Sequence, residues 1–122
     1  MQNIVIVGAS GHGGMILDII EKEGRYRMAG FVDSFKEKGS MHYGHKVLGD
    51  EGELPLLIDK FNLYGAILAI GNNWTRKNMA RKVGTIAPNL KIVTAIHPEA
   101  IVAKAVKIGK GSVLMAGAIV NT

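Results

Sequence analysis

The sequence predicts an α/β chain in two parts: a parallel sheet flanked by helices over residues 1–95, then the first coils of a parallel β-helix over 96–122. Three observations predict it. Short aliphatic runs end in glycine-rich turns, as strands buried on both faces do. Between those runs, apolar residues recur at helical spacing. From Ile96 onward the apolar residues fall every six positions instead.

The first run is Asn3-Ile4-Val5-Ile6-Val7, followed by the turn Gly8-Ala9-Ser10-Gly11-His12-Gly13-Gly14. Met15, Ile16, Ile19 and Ile20 then mark one face of a helix that Gly24 is placed to end. Met28-Ala29-Gly30-Phe31-Val32 reads as a second strand closing at Asp33-Ser34. Together these make a βαβ unit, whose crossover is expected to be right-handed. Residues 35 to 46 are polar, contain Gly39 and Gly44, and read as a mobile loop before a short edge strand, Val47-Leu48-Gly49. Leu54, Leu57, Ile58 and Phe61 predict a second amphipathic helix with Asp50 as its cap. Ala66 to Ile70 reads as another strand, closed by Gly71-Asn72-Asn73. The next helix carries Met79, Ala80 and Val83 on one face and Arg76, Lys77, Arg81 and Lys82 on the other, and Lys91 to Thr94 is the last strand of this part. Strands alternating with helices in this way predict a doubly wound, Rossmann-like sheet.

Beyond it, Ile96, Val102, Ile108, Leu114 and Val120 stand six apart. Ala100, Val106, Ser112 and Ala118, all small or β-branched, each stand four residues after one of the first four. Neither a helix nor a flat strand has that period, but a hexapeptide β-helix does, with three hexads closing each triangular coil. Ile108-Gly109-Lys110-Gly111-Ser112-Val113 is the cleanest hexad. Only roughly one and a half coils fit before Thr122, fewer than a solenoid normally stacks. An open β-helix end exposes unpaired backbone, so either another copy covers it or the chain is a fragment of a longer protein, and the fragment is the expectation.

Composition narrows the function. Apolar residues are 48% of the 122, Cys is absent, and the net charge is +5. No apolar run approaches the ~18 residues of a membrane span, and Met1 to Ser10 lacks the pattern of a signal peptide. A cytoplasmic protein without disulfides is expected. The basic residues are spread out and no aromatic residues interleave with them, so a phosphate-bearing small molecule is a better partner than nucleic acid. His42 and His45 make an unconvincing metal pair, and no metal is expected.

Gly8-x-x-Gly11-x-Gly13 is not the dinucleotide spacing G-x-G-x-x-G, yet the physics is shared. A strand feeds a turn without side chains, so amides at a helix N-terminus can face a phosphate. In this reading Gly8 allows the turn, Gly11 admits the ligand, Gly13 lets the helix pack closely, and Ser10 adds a hydroxyl. The alternative is a tight turn with no ligand. His12 is either a helix-start residue bonded to local backbone or a contact to phosphate or sugar. Asp33, with Ser34, either takes ribose hydroxyls or caps a turn. Gly71, Asn72 and Asn73 close a strand at the same sheet edge, where asparagine amides can read a base or sugar and Arg76 can reach a phosphate.

Taken together, Ile6-Val7-Gly8-Ala9-Ser10-Gly11-His12-Gly13, Phe31-Val32-Asp33, Ala69-Ile70-Gly71-Asn72-Asn73 with Arg76, and Ile96-His97-Pro98 before the hexads resemble the sialic-acid O-acetyltransferase family. That family includes the sugar-nucleotide N-acetyltransferases of bacillosamine and perosamine synthesis. The resemblance implies an N-terminal domain that binds the nucleotide of a UDP- or GDP-linked sugar. It also implies a left-handed β-helix, a homotrimer formed through it, and acetyl-CoA as co-substrate between neighbouring subunits. The family's general base is a histidine oriented by an acidic residue. The resemblance puts that pair beyond Thr122, so no catalytic residue is expected in this chain, and the chain alone is expected to be inactive. Two other readings stay open. One is an NAD(P)-binding Rossmann module of an oxidoreductase, against which the altered glycine spacing and the hexads stand. The other is a non-catalytic nucleotide-sugar-binding or assembly module.

Overall fold

A computed structural model describes residues 1–93 in full, together with the backbone of four short strands at 95–96, 101–102, 113–114 and 119–120. The sheet holds β1 (Gln2–Val7), β2 (Tyr26–Val32), β3 (Met41–His42), β4 (His45–Gly49), β5 (Leu63–Leu68) and β6 (Lys91–Ile92) in the order β3-β4-β2-β1-β5-β6. Helix α1 (Gly11–Glu23) joins β1 to β2, α2 (Leu54–Phe61) precedes β5, and α3 (Asn73–Ile86) follows it. From β1 the chain moves outward to β2 and β4, then crosses back to lay β5 on the other side of β1. The winding therefore reverses between β1 and β5, and that reversal positions the cleft described below.

The aliphatic run of β1 sits at the centre because it can bury both faces. Ile4 and Ile6 pack with Ile16, Leu17, Ile19 and Ile20 of α1. Val5 and Val7 pack the opposite way, with Leu54 and Leu57 of α2 and Val83 of α3. Each fully buried aliphatic side chain contributes about 1.5–3 kcal/mol, so two cores share one strand. Gly24 ends α1 as its placement predicts, in the left-handed conformation with its N–H donating to Ile20 O at 3.1 Å. Asp50 does not cap α2 as expected: it opens a 3₁₀ turn, Glu51–Glu53, and Glu53 is the residue before α2.

Three further expectations are corrected. Residues 35 to 46 are not simply loop, because β3 and β4 form a hairpin around Tyr43-Gly44. Both turn residues have positive φ, 53° and 83°, as a tight two-residue hairpin turn requires. The Tyr43 ring folds back over α1, so closely that a Cβ on Gly14 would meet it at 2.6 Å, and it lies 6.3 Å from the Phe31 ring. Second, the sheet is not wholly parallel: β3 runs antiparallel to β4, while the other pairings in this sheet are parallel. Third, β5 ends at Leu68 and β6 at Ile92, each two residues before its expected end.

After β6, β7 (Ala95–Ile96) pairs in parallel with β9 (Val113–Leu114), and β8 (Ile101–Val102) with β10 (Ile119–Val120). Ala95 faces Val113 and Ile101 faces Ile119, so each residue pairs with the one three hexads further along. The hexad positions Ala100, Val106, Ile108, Ser112 and Ala118, and His97, lie outside the described residues.

Candidate functional site

The carboxyl ends of β1, β2 and β5 and the turn after β4 surround an open cleft of about 280 Å³. It lies where the winding reverses, the place at which parallel sheets leave a crevice between diverging loops. Its walls are Val7, Val32, Ala69, Ile70 and Met79, and its polar groups are Ser10, His12, Asp33, Ser34, Glu51 and Thr75.

The glycine bend forms one side. Gly8 has φ +112°, and a Cβ there would stand 2.7 Å from Ala69 O on β5's loop. A Cβ on Gly13 would stand 2.4 Å from Gly8 O. Both glycines are therefore demanded by the chain's own packing. Gly11 and Gly71 differ, since neither has a positive φ and a Cβ on either would meet nothing within 4 Å. Helix α1 begins at Gly11 with no side-chain cap from Ser10 and no acidic residue in its first turn. The N–H groups of Gly13 and Gly14 both turn to Ser10 O, at 2.8 and 3.4 Å. Those of Gly11 and His12 have no intrahelical acceptor and carry the positive end of the helix dipole.

The other side is acidic. Asp33 Oδ2 accepts from Ala9 N–H at 2.9 Å, and Oδ1 accepts from the N–H groups of Phe35 and Lys36 at 2.7 and 3.1 Å. Its carboxylate thus staples the loop after β2 to the glycine bend, which is the turn role of its two sequence readings. The Ser34 hydroxyl donates to Glu51 Oε2. Glu51 is only 3% exposed, the one charged residue buried among the described residues, and Lys82 of α3 lies 3.8 Å from its other oxygen. No Lys or Arg is among the described residues that line the cleft.

Of the residues singled out from the sequence, Gly8, Ser10, His12, Asp33, Ser34 and Gly71 line the cleft, and Gly11 and Gly13 belong to its bend. Asn72, Asn73 and Arg76 are not among the lining residues. Asn72 caps α3, its Oδ1 accepting from Thr75 N–H at 2.9 Å, and Arg76 Nη2 donates to Asn73 Oδ1 at 2.8 Å. Sequence reasoning missed Glu51, Phe35, Thr75 and Met79. Glu51 stands in a polar run, Gly49-Asp50-Glu51-Gly52-Glu53, that carries no sign of burial. Phe35 is an aromatic directly after a strand-closing Asp-Ser, and that was an available signal. No group of three or more potential metal ligands occurs among the described residues, and no described helix is long and apolar enough to cross a membrane.

Comparison with known proteins gives this geometry a context. The PglD N-terminal domain family model matches residues 3–83. UDP-N-acetylbacillosamine N-acetyltransferase of Bacillus subtilis (strain 168) is 37% identical over 119 residues, covering 95% of this chain and 52% of that protein. A variant of perosamine N-acetyltransferase from Caulobacter crescentus, solved in complex with CoA and GDP-perosamine, matches with a TM-score of 0.83 at 31% identity, over 96% of this chain and 53% of that one. The acetyltransferase domain of PglB from Neisseria gonorrhoeae FA1090, in complex with acetyl coenzyme A, matches with a TM-score of 0.72 at 28% identity, over 94% of this chain and 53% of that one. The chain spans about half the length of these relatives.

Proposed function

This chain belongs to the PglD N-terminal domain family, and from that premise we propose that its cleft binds the nucleotide of a UDP- or GDP-linked sugar. The chain is then the acceptor-binding portion of an acetyl-CoA-dependent acetyltransferase that acts on a nucleotide-linked (amino)sugar or a sialic acid. The observation that carries the reading is the pairing of an uncapped helix start with two glycines, Gly11 and Gly71, that the chain's own packing does not need. Amides at such a start favour a diphosphate. In this reading Gly8 and Gly13 shape the bend, while Ser10, Gly11 and His12 meet the phosphates. Asp33 and Ser34 lie toward the ribose, and Gly71, Asn72, Asn73 and Arg76 toward the sugar. No observation favours NAD(P) over a nucleotide sugar.

The three-hexad register of β7 with β9 and of β8 with β10 supports the start of a β-helix after residue 95, and the family resemblance implies that it is left-handed. We extend the proposal accordingly to a cytoplasmic homotrimer assembled through that helix, with acetyl-CoA as second substrate. The resemblance assigns acetyl transfer to a histidine outside these 122 residues, so this polypeptide alone transfers no acetyl group.

Calorimetric titration tests the binding claim. UDP-sugars or GDP-sugars are expected to bind the chain, and NAD(P)H is not. Binding of NADH with no response to either nucleotide sugar overturns the proposal.

A further inference from the structure

We infer that Phe35 is the stacking platform for the nucleobase, closing the acidic side of the cleft over the ring. The inference rests on the nucleotide reading above and deepens it. Charge divides the cleft: free amides of α1 stand on one side, and the carboxylates of Asp33 and Glu51 on the other. A diphosphate is repelled by the second side, whereas a neutral heterocycle with N–H donors and ribose hydroxyls is accepted there. The apolar surface on that side is the Phe35 ring itself, since Val32 at the end of β2 is fully buried in the core.

Phe35 stands at the mouth of this side. Its side chain is 97% exposed, the most exposed large apolar residue among the described ones, yet it lines the cleft. It does not hang on a slack loop. Its N–H is held at 2.7 Å by Asp33 Oδ1, and the other oxygen of the same carboxylate holds Ala9 N–H in the glycine bend. One side chain therefore fixes the distance between the phosphate-binding bend and the backbone that carries the ring. A ring held in water at a cleft mouth loses nothing by folding and gains on covering a base, because every base has a π-face.

The test is calorimetric titration of UDP and of GDP into the full chain and its Phe35→Ala, Phe35→Leu and Phe35→Tyr variants. Because the ring is solvent-exposed, all variants are expected to melt with the parent. Alanine should weaken both nucleotides by roughly ten-fold, the scale of one lost base–aromatic stack. Tyrosine should restore affinity, and leucine should restore only part of it, since it has apolar area without a π-face. Equal affinity of the parent and F35A for both nucleotides overturns this inference and leaves the nucleotide reading standing. Failure of the unaltered chain to bind either nucleotide overturns the nucleotide reading and this inference with it.

Discussion

The inner wall of the glycine bend and its outer rim are built from the same residue type for opposite reasons. On the inner wall, Gly8 and Gly13 are pressed by Ala69 O and by Gly8 O, and no side chain fits. On the rim, Gly11 and Gly71 face open space in ordinary backbone conformations. The first pair is explained by folding alone. The second is not, because a residue with a side chain would lower the entropy of the unfolded chain and stabilise the protein. Gly84 in α3 is equally unconstrained but lies away from the cleft, so what distinguishes the rim pair is its place at the cleft, beside the uncapped start of α1.

Substitution on the inner wall breaks this comparison most forcefully. Gly13→Ala puts a methyl group 2.4 Å from a carbonyl oxygen at the junction of β1 and α1. Overpacking there should cost about 2–3 kcal/mol, a large share of a small domain's stability. Chemical denaturation measures it. A variant as stable as the parent would show that the bend can open, and the division between wall and rim would fail.

On the rim the expectation is reversed. Gly11 is the first residue of α1, and alanine there should raise stability by about 0.4–1 kcal/mol. If the proposed diphosphate sits at the start of α1, the added methyl crowds it, and UDP or GDP affinity should fall by about ten-fold, the size of one lost charge-assisted hydrogen bond. Thermal melts and titration on one sample separate the two effects. If Gly11→Ala is stabilised and binds as before, the rim has no ligand to admit.

Much of this was legible in the sequence, and the parts that were not share a cause. The βαβ start, the Gly24 stop and the α2 and α3 helices follow from local pattern, because strand burial and helical spacing are written in neighbouring residues. The hairpin was not legible, because Tyr43 takes a positive-φ place that sequence rules reserve for Asn, Asp or Gly, and the reward for doing so is a contact with Gly14, far away in the chain. Glu51 escaped for the same reason. What buries it is Ser34 and Lys82, brought together only by the sheet. Asp33 follows directly on the end of β2, and three backbone amides from two loops take up its carboxylate, a partnership that no spacing within one segment reveals.

The smallest expected effect concerns Glu53, two residues from the buried Glu51 and on the outer side of the same turn. The fold uses it without any ligand. Its Oε2 accepts from Lys38 Nζ at 2.8 Å, and Oε1 accepts from Asp50 N–H at 3.4 Å. The hydrogen bond from Lys38, then the one from the Asp50 amide, hold its carboxyl below the ordinary value of 4.5. The bond to Glu53 and its charge in turn raise the Lys38 ammonium above 10.5. A depressed carboxyl gives stability that is fully present above the ordinary carboxyl value and is lost as pH falls through the lowered one. A raised ammonium gives stability present below the ordinary lysine value and lost as pH rises through the raised one. Between those limits the bridge contributes a level amount, small because it is exposed and screened by salt. Glu53→Gln should therefore lower Tm slightly at neutral pH and low salt, with the gap to the parent closing below pH 4.5 and again at high salt. Melts across pH at two ionic strengths read this out. A gap that stays constant into acid would mean that Glu53 acts through packing against Gly49, where its carboxylate carbon would lie 2.8 Å from a Cβ, and not through its charge.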